Sequence, residues 1–225
     1  MKLHEISISQ DVKQSNANWQ EIAAKYGWKV LGVGAEATVV SKPDVPYVLK
    51  IFPSGSSYNA FVKLCRDHLN DPHLPKFSRK TQKLQGSQPP MNYVRMEPLQ
   101  AISENELFFA FMPEITYLYL ELQKRGLEMH WNFHSSVRQR LERAYKVHPN
   151  KAAKLLTGFF ARREMWKTIG QPPQDWMATV NLLVRFLPTL GQKTRFDLHA
   201  DNFMLRQNTL VLTDPFVGKL SYAPT

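Results

Sequence analysis

The sequence predicts an α+β protein of two lobes, a five-stranded small lobe followed by a shortened, mainly helical one. Short β-prone runs punctuated by glycine and proline fill residues 28–96. From Ser103 the apolar residues fall instead at the three-and-four spacing of helices. Near the far end, Phe203-Met204-Leu205 and Leu210-Val211-Leu212 read as two strands around a polar turn at Arg206-Gln207-Asn208.

In chain order, residues 1–27 read as an N-terminal helical extension, capped by Ser15, carrying Trp19, Ile22, Ala23 and Tyr26 on one face and ended by Gly27. Three strands follow near 28–33, 38–42 and 47–52. A helix over 57–69 places Tyr58, Phe61, Val62, Cys65 and Leu69 on one face and closes at Asn70-Asp71-Pro72. Strands at 76–84 and 91–96 flank a turn at Gly86-Ser87-Gln88-Pro89-Pro90, completing a lobe over 28–96. Residues 97–102, beginning Glu97-Pro98-Leu99, read as a hinge, and 103–225 as the helical lobe.

That second lobe opens on a capping box, Ser103 with Glu106, ahead of Leu107, Phe108, Phe111, Ile115, Leu118 and Leu122. Further helices are marked by Val137, Leu141, Ala144 and Tyr145, by Ala152, Leu155, Leu156, Phe159 and Phe160, and by Trp176, Met177, Val180, Leu183, Val184 and Leu187. These stripes are core-facing. Pro188 stops the last helix.

At 225 residues, 43% hydrophobic and 21% charged, the composition is that of a globular protein. The start Met1-Lys2-Leu3-His4-Glu5 lacks a secretory apolar stretch, and Pro113, Glu114 and Glu121 interrupt the apolar region from Leu107 to Leu122, which predicts neither secretion nor a membrane span. The single cysteine, Cys65, forms no intramolecular disulfide and predicts a reducing cytoplasm. Net charge is +10. Between residues 121 and 195, fourteen Lys or Arg face five acidic residues. Arg138, Arg140, Arg143, Lys146, Lys151, Lys154, Arg162, Arg163 and Lys167 read as solvated helix faces, or as a footprint for an acidic protein or nucleic acid.

The chemistry concentrates in Phe196-Asp197-Leu198-His199-Ala200-Asp201-Asn202 and Leu212-Thr213-Asp214-Pro215-Phe216. Phosphoryl transfer needs a carboxylate to take or orient the acceptor hydroxyl proton, and oxygen ligands to hold Mg²⁺ against nucleotide phosphates. Asp197, Asn202 and Asp214 suit those tasks, and the predicted hairpin would hold them together. The first lobe supplies a complement. Leu31-Gly32-Val33-Gly34-Ala35-Glu36 is a glycine turn between β-prone runs, and Lys50 lies within Val48-Leu49-Lys50-Ile51-Phe52. A buried ammonium there calls for an anion; alternatively, Lys50 snorkels to water from an edge strand.

These segments resemble the protein-kinase-like superfamily, and within it the early serine/threonine protein kinases of short-tailed, podovirus-type bacteriophages. The likeness is carried by Trp28 to Gly34, Val48-Leu49-Lys50, Tyr58-Asn59-Ala60-Phe61, Pro72-His73-Leu74-Pro75, Tyr93 to Leu99, Phe196 to Met204 and Thr213-Asp214-Pro215. The resemblance implies Asp197 as catalytic base, Asn202 and Asp214 as Mg²⁺ ligands, and Lys50 as the contact to the α and β phosphates of ATP. It also implies a phosphate loop at Gly32 and Gly34, adenine between Leu31, Val39 and Val48, Met96 behind it, and backbone contacts from Glu97 and Leu99. His199 matches the D-x-H-x-x-N pattern of aminoglycoside-type kinases and either orients Asp197, meets the γ-phosphate, or is satisfied by loop carbonyls.

The chain departs from the pattern in places. Ala37 replaces a third loop glycine, Arg195 the loop histidine, and Pro215-Phe216 the usual Phe-Gly. The 57–69 helix offers Asn59 and Asp67 but no glutamate to pair with Lys50; Asp67, seventeen residues beyond Lys50 but off the apolar face of that helix, is the candidate carboxylate. Eleven residues follow Asp214, which predicts no activation segment. The implied activity is ATP- and Mg²⁺-dependent transfer to serine or threonine of host proteins in a bacterial cytoplasm. The alternatives are a pseudokinase that binds and inhibits a host protein, and a small-molecule kinase of the aminoglycoside type.

Overall fold

The structure is a computed structural model and describes residues 24–33, 37–84, 87, 89–127, 139, 166–167, 169–191 and 194–218. The chain divides into two compact units, Met1–Leu69 with Pro75–Pro98, and Asn70–Leu74 with Leu99–Thr225. No helix among the described residues is long and apolar enough to cross a membrane.

The first unit is built on an antiparallel sheet of β1 (Lys29–Val33), β2 (Thr38–Ser41), β3 (Val48–Pro53), β4 (Gln82–Leu84) and β5 (Met91–Met96), in the order β1-β2-β3-β5-β4. Side-chain alternation sorts its two faces. Val40, Leu49, Ile51 and Tyr93 join Trp28 and Leu84 in a buried cluster, with Tyr26, Val30 and Tyr47 packed against it. Trp28 lies just ahead of β1 and fills that core from outside the ladder.

Phe52 alternates to the opposite face and meets the helix α1 (Tyr58–Asp67), its ring 4.8 Å from that of Tyr58. Tyr58, Phe61, Val62 and Cys65 recur at helical spacing and are all buried. Phe77 completes this cluster edge-on to Tyr58 and Phe61. The helix ends at Asp67, where the His68 amide donates back to Leu64 and Cys65. Leu69, expected on the apolar face, therefore lies beyond the helix and is 57% exposed.

The strand expected over 76–84 is reduced to Gln82–Leu84, with Phe77 making one isolated bridge to Met96. Arg66 of α1 explains the interruption, because its guanidinium takes the Ser78 carbonyl (2.8 Å) and the Thr81 hydroxyl (3.0 Å). At the turn before β5, Ser87 is buried and accepts the Met91 amide at 2.9 Å.

In the second unit, Ser103 caps α2 (Glu104–Ala110) by accepting the Glu106 amide at 3.2 Å. The sequence suggested one helix onward to Leu122. Instead the chain breaks at Phe111 and restarts as α3 (Met112–Lys124). Pro113 has no amide hydrogen to donate and fits only in a first helical turn, so it opens α3 rather than continuing α2.

Helix α4 (Gln174–Phe186) packs on α3; Trp176, Val180, Leu183 and Val184 of α4 and Ile115, Leu118 and Leu122 of α3 are all buried. The Trp176 Nε1–H donates to the Glu114 carbonyl at 2.8 Å. The α-helix stops before Pro188, but Leu187–Leu190 continues as a 3₁₀ turn, which that proline opens. The helices expected around 137–145 and 152–160, most of the N-terminal extension, and the basic residues from Arg138 to Arg163 lie outside the described residues.

Three short strands complete this unit's larger sheet: β6 (Gln100–Ala101) pairs with β8 (Phe203–Arg206), which pairs with β9 (Thr209–Leu212). The strand β6 falls inside the segment read as a hinge. Separately, β7 (Arg195–Phe196) pairs with β10 (Phe216–Val217).

Candidate functional site

The acidic residues are set by two backbone stitches. In β7 and β10, Phe196 sits opposite Phe216, and the next amide, that of Asp197, donates to the Pro215 carbonyl at 2.9 Å. At the other end, the Thr213 amide donates to the Asn202 carbonyl at 2.8 Å, and its hydroxyl donates to the same oxygen at 3.1 Å. Asp214 lies between these two ties, so its backbone is placed against the 197–202 loop from both sides.

The hairpin behind this arrangement follows from local sequence. Phe203, Leu205, Leu210 and Leu212 alternate inward and are buried, while Gln207 adopts φ +57 in the two-residue turn. The register Phe203 with Leu212 sets the length of the ladder, so Asn202 and Thr213 meet immediately beyond it.

Within the loop, Asn202 donates its Nδ2 to the Asp197 main-chain oxygen at 2.6 Å and to Asp197 Oδ2 at 3.4 Å. The first bond is well formed and the second is at the limit of one. His199 Nε2 lies 3.2 Å from Asp197 Oδ1. Asp197 and Asp214 are half-buried and His199 is exposed. The sequence-predicted residues Asp197, His199 and Asn202 are thus brought into contact, with Asp214 next to the residue that ties to Asn202.

The donors present are of the kind a hard divalent cation takes: an amide oxygen on Asn202, whose nitrogen is given to Asp197, and a carboxylate on Asp214. Among the described residues no group of three or more His, Cys, Asp and Glu could hold a metal. Mg²⁺ does not require one, since it uses one or two protein oxygens together with phosphates and water.

In the first unit, strand pairing puts Gly32 opposite Val39, Val39 opposite Lys50, and Lys50 opposite Val94. Val48 and Met96 form the pair two residues along. Gly32, Val39, Val48, Lys50 and Met96 consequently share the sheet face that also carries Phe52. Leu31 is the extra residue of a β-bulge between Val30 and Gly32 and is 55% exposed. Gly34 lies outside the described residues.

Lys50 is 5% exposed on the central strand of the sheet, which removes the edge-strand reading. Its ammonium sits 4.0 Å from the centroid of the Tyr58 ring, a cation–π contact supplied by α1. Asp67, the candidate carboxylate for Lys50, is paired with Lys63 on the outer side of the helix instead. Asp67 falls off the buried stripe of α1, so its side chain turns to solvent.

Glu97 is tied to Lys76 twice: its amide donates to the Lys76 carbonyl at 3.0 Å, and its carboxylate accepts the Lys76 amide at 2.7 Å. Leu99, half-buried, begins the second unit's later segment. Sequence reasoning assigned no role to Tyr58, Thr213 or Pro215. Tyr58 was readable only as a core aromatic, and the other two act through backbone atoms that side-chain chemistry does not reveal.

Among the described residues, a five-stranded antiparallel sheet with one helix between its third and fourth strands is followed by three helices and then the acidic loop and its hairpin, an order consistent with a protein-kinase-like fold. No family model and no curated protein matches the chain. Among solved structures, the streptomycin–ATP–APH(2″)-IIa ternary complex is similar at 13% identity and a TM-score of 0.29, over 85% of this chain and 67% of that one.

Proposed function

We propose that this chain is an ATP- and Mg²⁺-dependent phosphotransferase of the kinase type, with the hydroxyl of serine or threonine in host proteins as acceptor. The observation that carries the reading is the double tie of Asn202, side chain to Asp197 and main chain to Thr213. It draws a carboxylate, a carboxamide and the approach to a second carboxylate into one small acidic site. Asp197 takes or orients the acceptor proton. Asn202 and Asp214 hold Mg²⁺, which when bound neutralises charge on the nucleotide phosphates.

Lys50 meets the α and β phosphates, and the glycine-bearing segment that holds Gly32, at the end of β1, and Gly34 covers them with backbone amides. Val39, Val48 and Leu31 flank adenine, with Met96 behind it. Since the Glu97 amide is given to Lys76, the adenine edge is read by the Glu97 carbonyl together with the backbone of Leu99. Little covalent chemistry is asked of the protein, so rate enhancement comes from positioning and charge.

The contact between His199 and Asp197 favours a second acceptor class, a small-molecule hydroxyl, because it matches the D-x-H-x-x-N arrangement. Incubation with radiolabelled ATP and Mg²⁺ separates the readings. Label transferred to the chain itself or to bacterial lysate proteins supports the protein kinase. ATP consumption that labels no protein and needs a metabolite fraction supports the small-molecule kinase. ATP binding with no turnover under any condition leaves a pseudokinase and ends the catalytic reading.

A further inference from the structure

The segment Asn70–Leu74 follows α1 in sequence yet belongs to the second unit, and at its centre His73 is 96% buried, being only 4% exposed. We infer that His73 is a positioning residue for the acidic hairpin, gripping the outer edge of β9 so that Thr213 and Asp214 arrive in register with Asn202. The inference rests on the reading of Asp214 as a ligand.

Two contacts define the grip. The His73 ring nitrogen Nδ1 lies 2.7 Å from the Leu210 carbonyl oxygen, and the His73 main-chain carbonyl accepts the Leu212 amide at 3.0 Å. Positions 210 and 212 present their backbone groups to the same edge of an antiparallel strand, the edge away from β8. His73 therefore pairs β9 where a further strand would otherwise be needed. The next residue, Thr213, bonds the Asn202 carbonyl, and Asp214 follows.

The grip is itself braced from every side. Asp71 accepts the His73 amide at 2.9 Å and the Thr179 hydroxyl of α4 at 2.7 Å. Arg206 of β8 donates to the carbonyls flanking His73, Pro72 at 2.6 Å and Leu74 at 2.8 Å. The imidazole stands edge-on to Trp176, and its Nε2 is 3.2 Å from Asp175 Oδ1. With Nδ1 facing a carbonyl, that nitrogen carries a proton. Glu114 of α3 is a further carboxyl that interacts electrostatically with the ring.

Three substitutions dissect the contacts. The side-chain amide of His73→Asn overlays Nδ1 and keeps the bond to Leu210; that of His73→Gln reaches the Nε2 position and keeps only the contact to Asp175; His73→Ala keeps neither. Amide hydrogen exchange at Leu212 and Thr213, compared with Leu118 and Leu122 in α3, is expected to accelerate about tenfold or more in His73→Ala and His73→Gln, and to return near the parent rate in His73→Asn. In turnover assays the same two variants lower kcat and raise the Mg²⁺ concentration needed, with KM for ATP within about twofold. Unchanged exchange in His73→Ala, or equal acceleration in His73→Asn, overturns the inference. If the parent chain shows no turnover, the kinase reading fails on its own, while the exchange comparison still decides whether His73 holds β9.

Discussion

Asn202 binds the main-chain oxygen of Asp197 through its side-chain amide at 2.6 Å, so the acidic loop is closed upon itself over five residues. That closure separates two kinds of damage, removal of a reacting group and loss of the frame that holds it.

Asp197→Ala and Asp214→Ala remove the carboxyls proposed as base and as Mg²⁺ ligand from half-buried positions and leave the backbone ties intact. Phosphoryl transfer should fall by about two to four orders of magnitude in Asp197→Ala, and at least as far in Asp214→Ala, with the melting temperature close to that of the parent. Radiolabel transfer and circular dichroism melts on the same preparations check both halves. Normal turnover by either variant would refute the assignment.

Lys50→Met tests the proposed phosphate contact. Methionine keeps a comparable apolar stem beside Tyr58 and removes the charge, so the sheet is expected to fold. Affinity for a fluorescent ATP analogue should drop about ten- to a hundredfold, the worth of one charge-assisted bond. Undiminished binding would return Lys50 to a purely structural role.

Trp176→Ala tests the helical core. The side chain is fully buried, stacks edge-on to His73 and donates to the Glu114 carbonyl. Its truncation should cost about 3–5 kcal/mol in chemical denaturation, while Trp176→Phe recovers most of the packing but not the hydrogen bond. A loss under about 1 kcal/mol in the alanine variant would mean that this helix pair is not packed as described.

Two neighbouring carboxyls should give opposite dependences on pH. For Asp175, burial pushes the pKa up, but the contact with the His73 ring and the Trp176 amide outweigh it and hold the group below its ordinary value. The unfolded chain then binds the proton more readily, so this contribution is present above the ordinary aspartate pKa and lost as pH falls through the lowered one. It is small, because the side chain is 55% exposed and solvent screens it. For Glu114, burial raises the pKa against the opposing pull of a backbone hydrogen bond and His73. Here the folded chain holds the proton more tightly, and stability falls as pH rises from the ordinary glutamate range through the raised value. Melts across the acid range should therefore show a flatter acid limb in Asp175→Asn and a gain near neutral pH in Glu114→Gln. Reversed signs would contradict the burial described.

Much of this architecture was legible because it is local. The Ser103 cap needs only a hydroxyl three residues before an amide, and the β8–β9 hairpin needs only alternation around a polar turn. The Asp197, Asn202 and Asp214 spacing is likewise short enough for one loop and one hairpin to join. The facing of Asp67 was legible too, since helical spacing already sets it off the apolar stripe of Tyr58, Phe61, Val62 and Cys65, and the structure pairs it with Lys63 on the outer side. Pro113 could be read as an interruption, and the chain answers it by breaking at Phe111 and restarting at Met112, which puts the proline in a first helical turn where no amide hydrogen is needed.

The amino-acid order by itself determined the first three strands, the helix after them, the Ser103 cap and the β8–β9 hairpin, and that one lysine and a cluster of oxygen-bearing side chains stand at element ends and centres. Tertiary structure alone decided that Lys50 occupies the middle strand beneath Tyr58, and that His73 leaves the run of its sequence neighbours to hold β9. The physical reason is that periodicity reports burial within an element, whereas strand order and the docking of a five-residue segment depend on contacts separated by up to 137 positions, which no local pattern encodes.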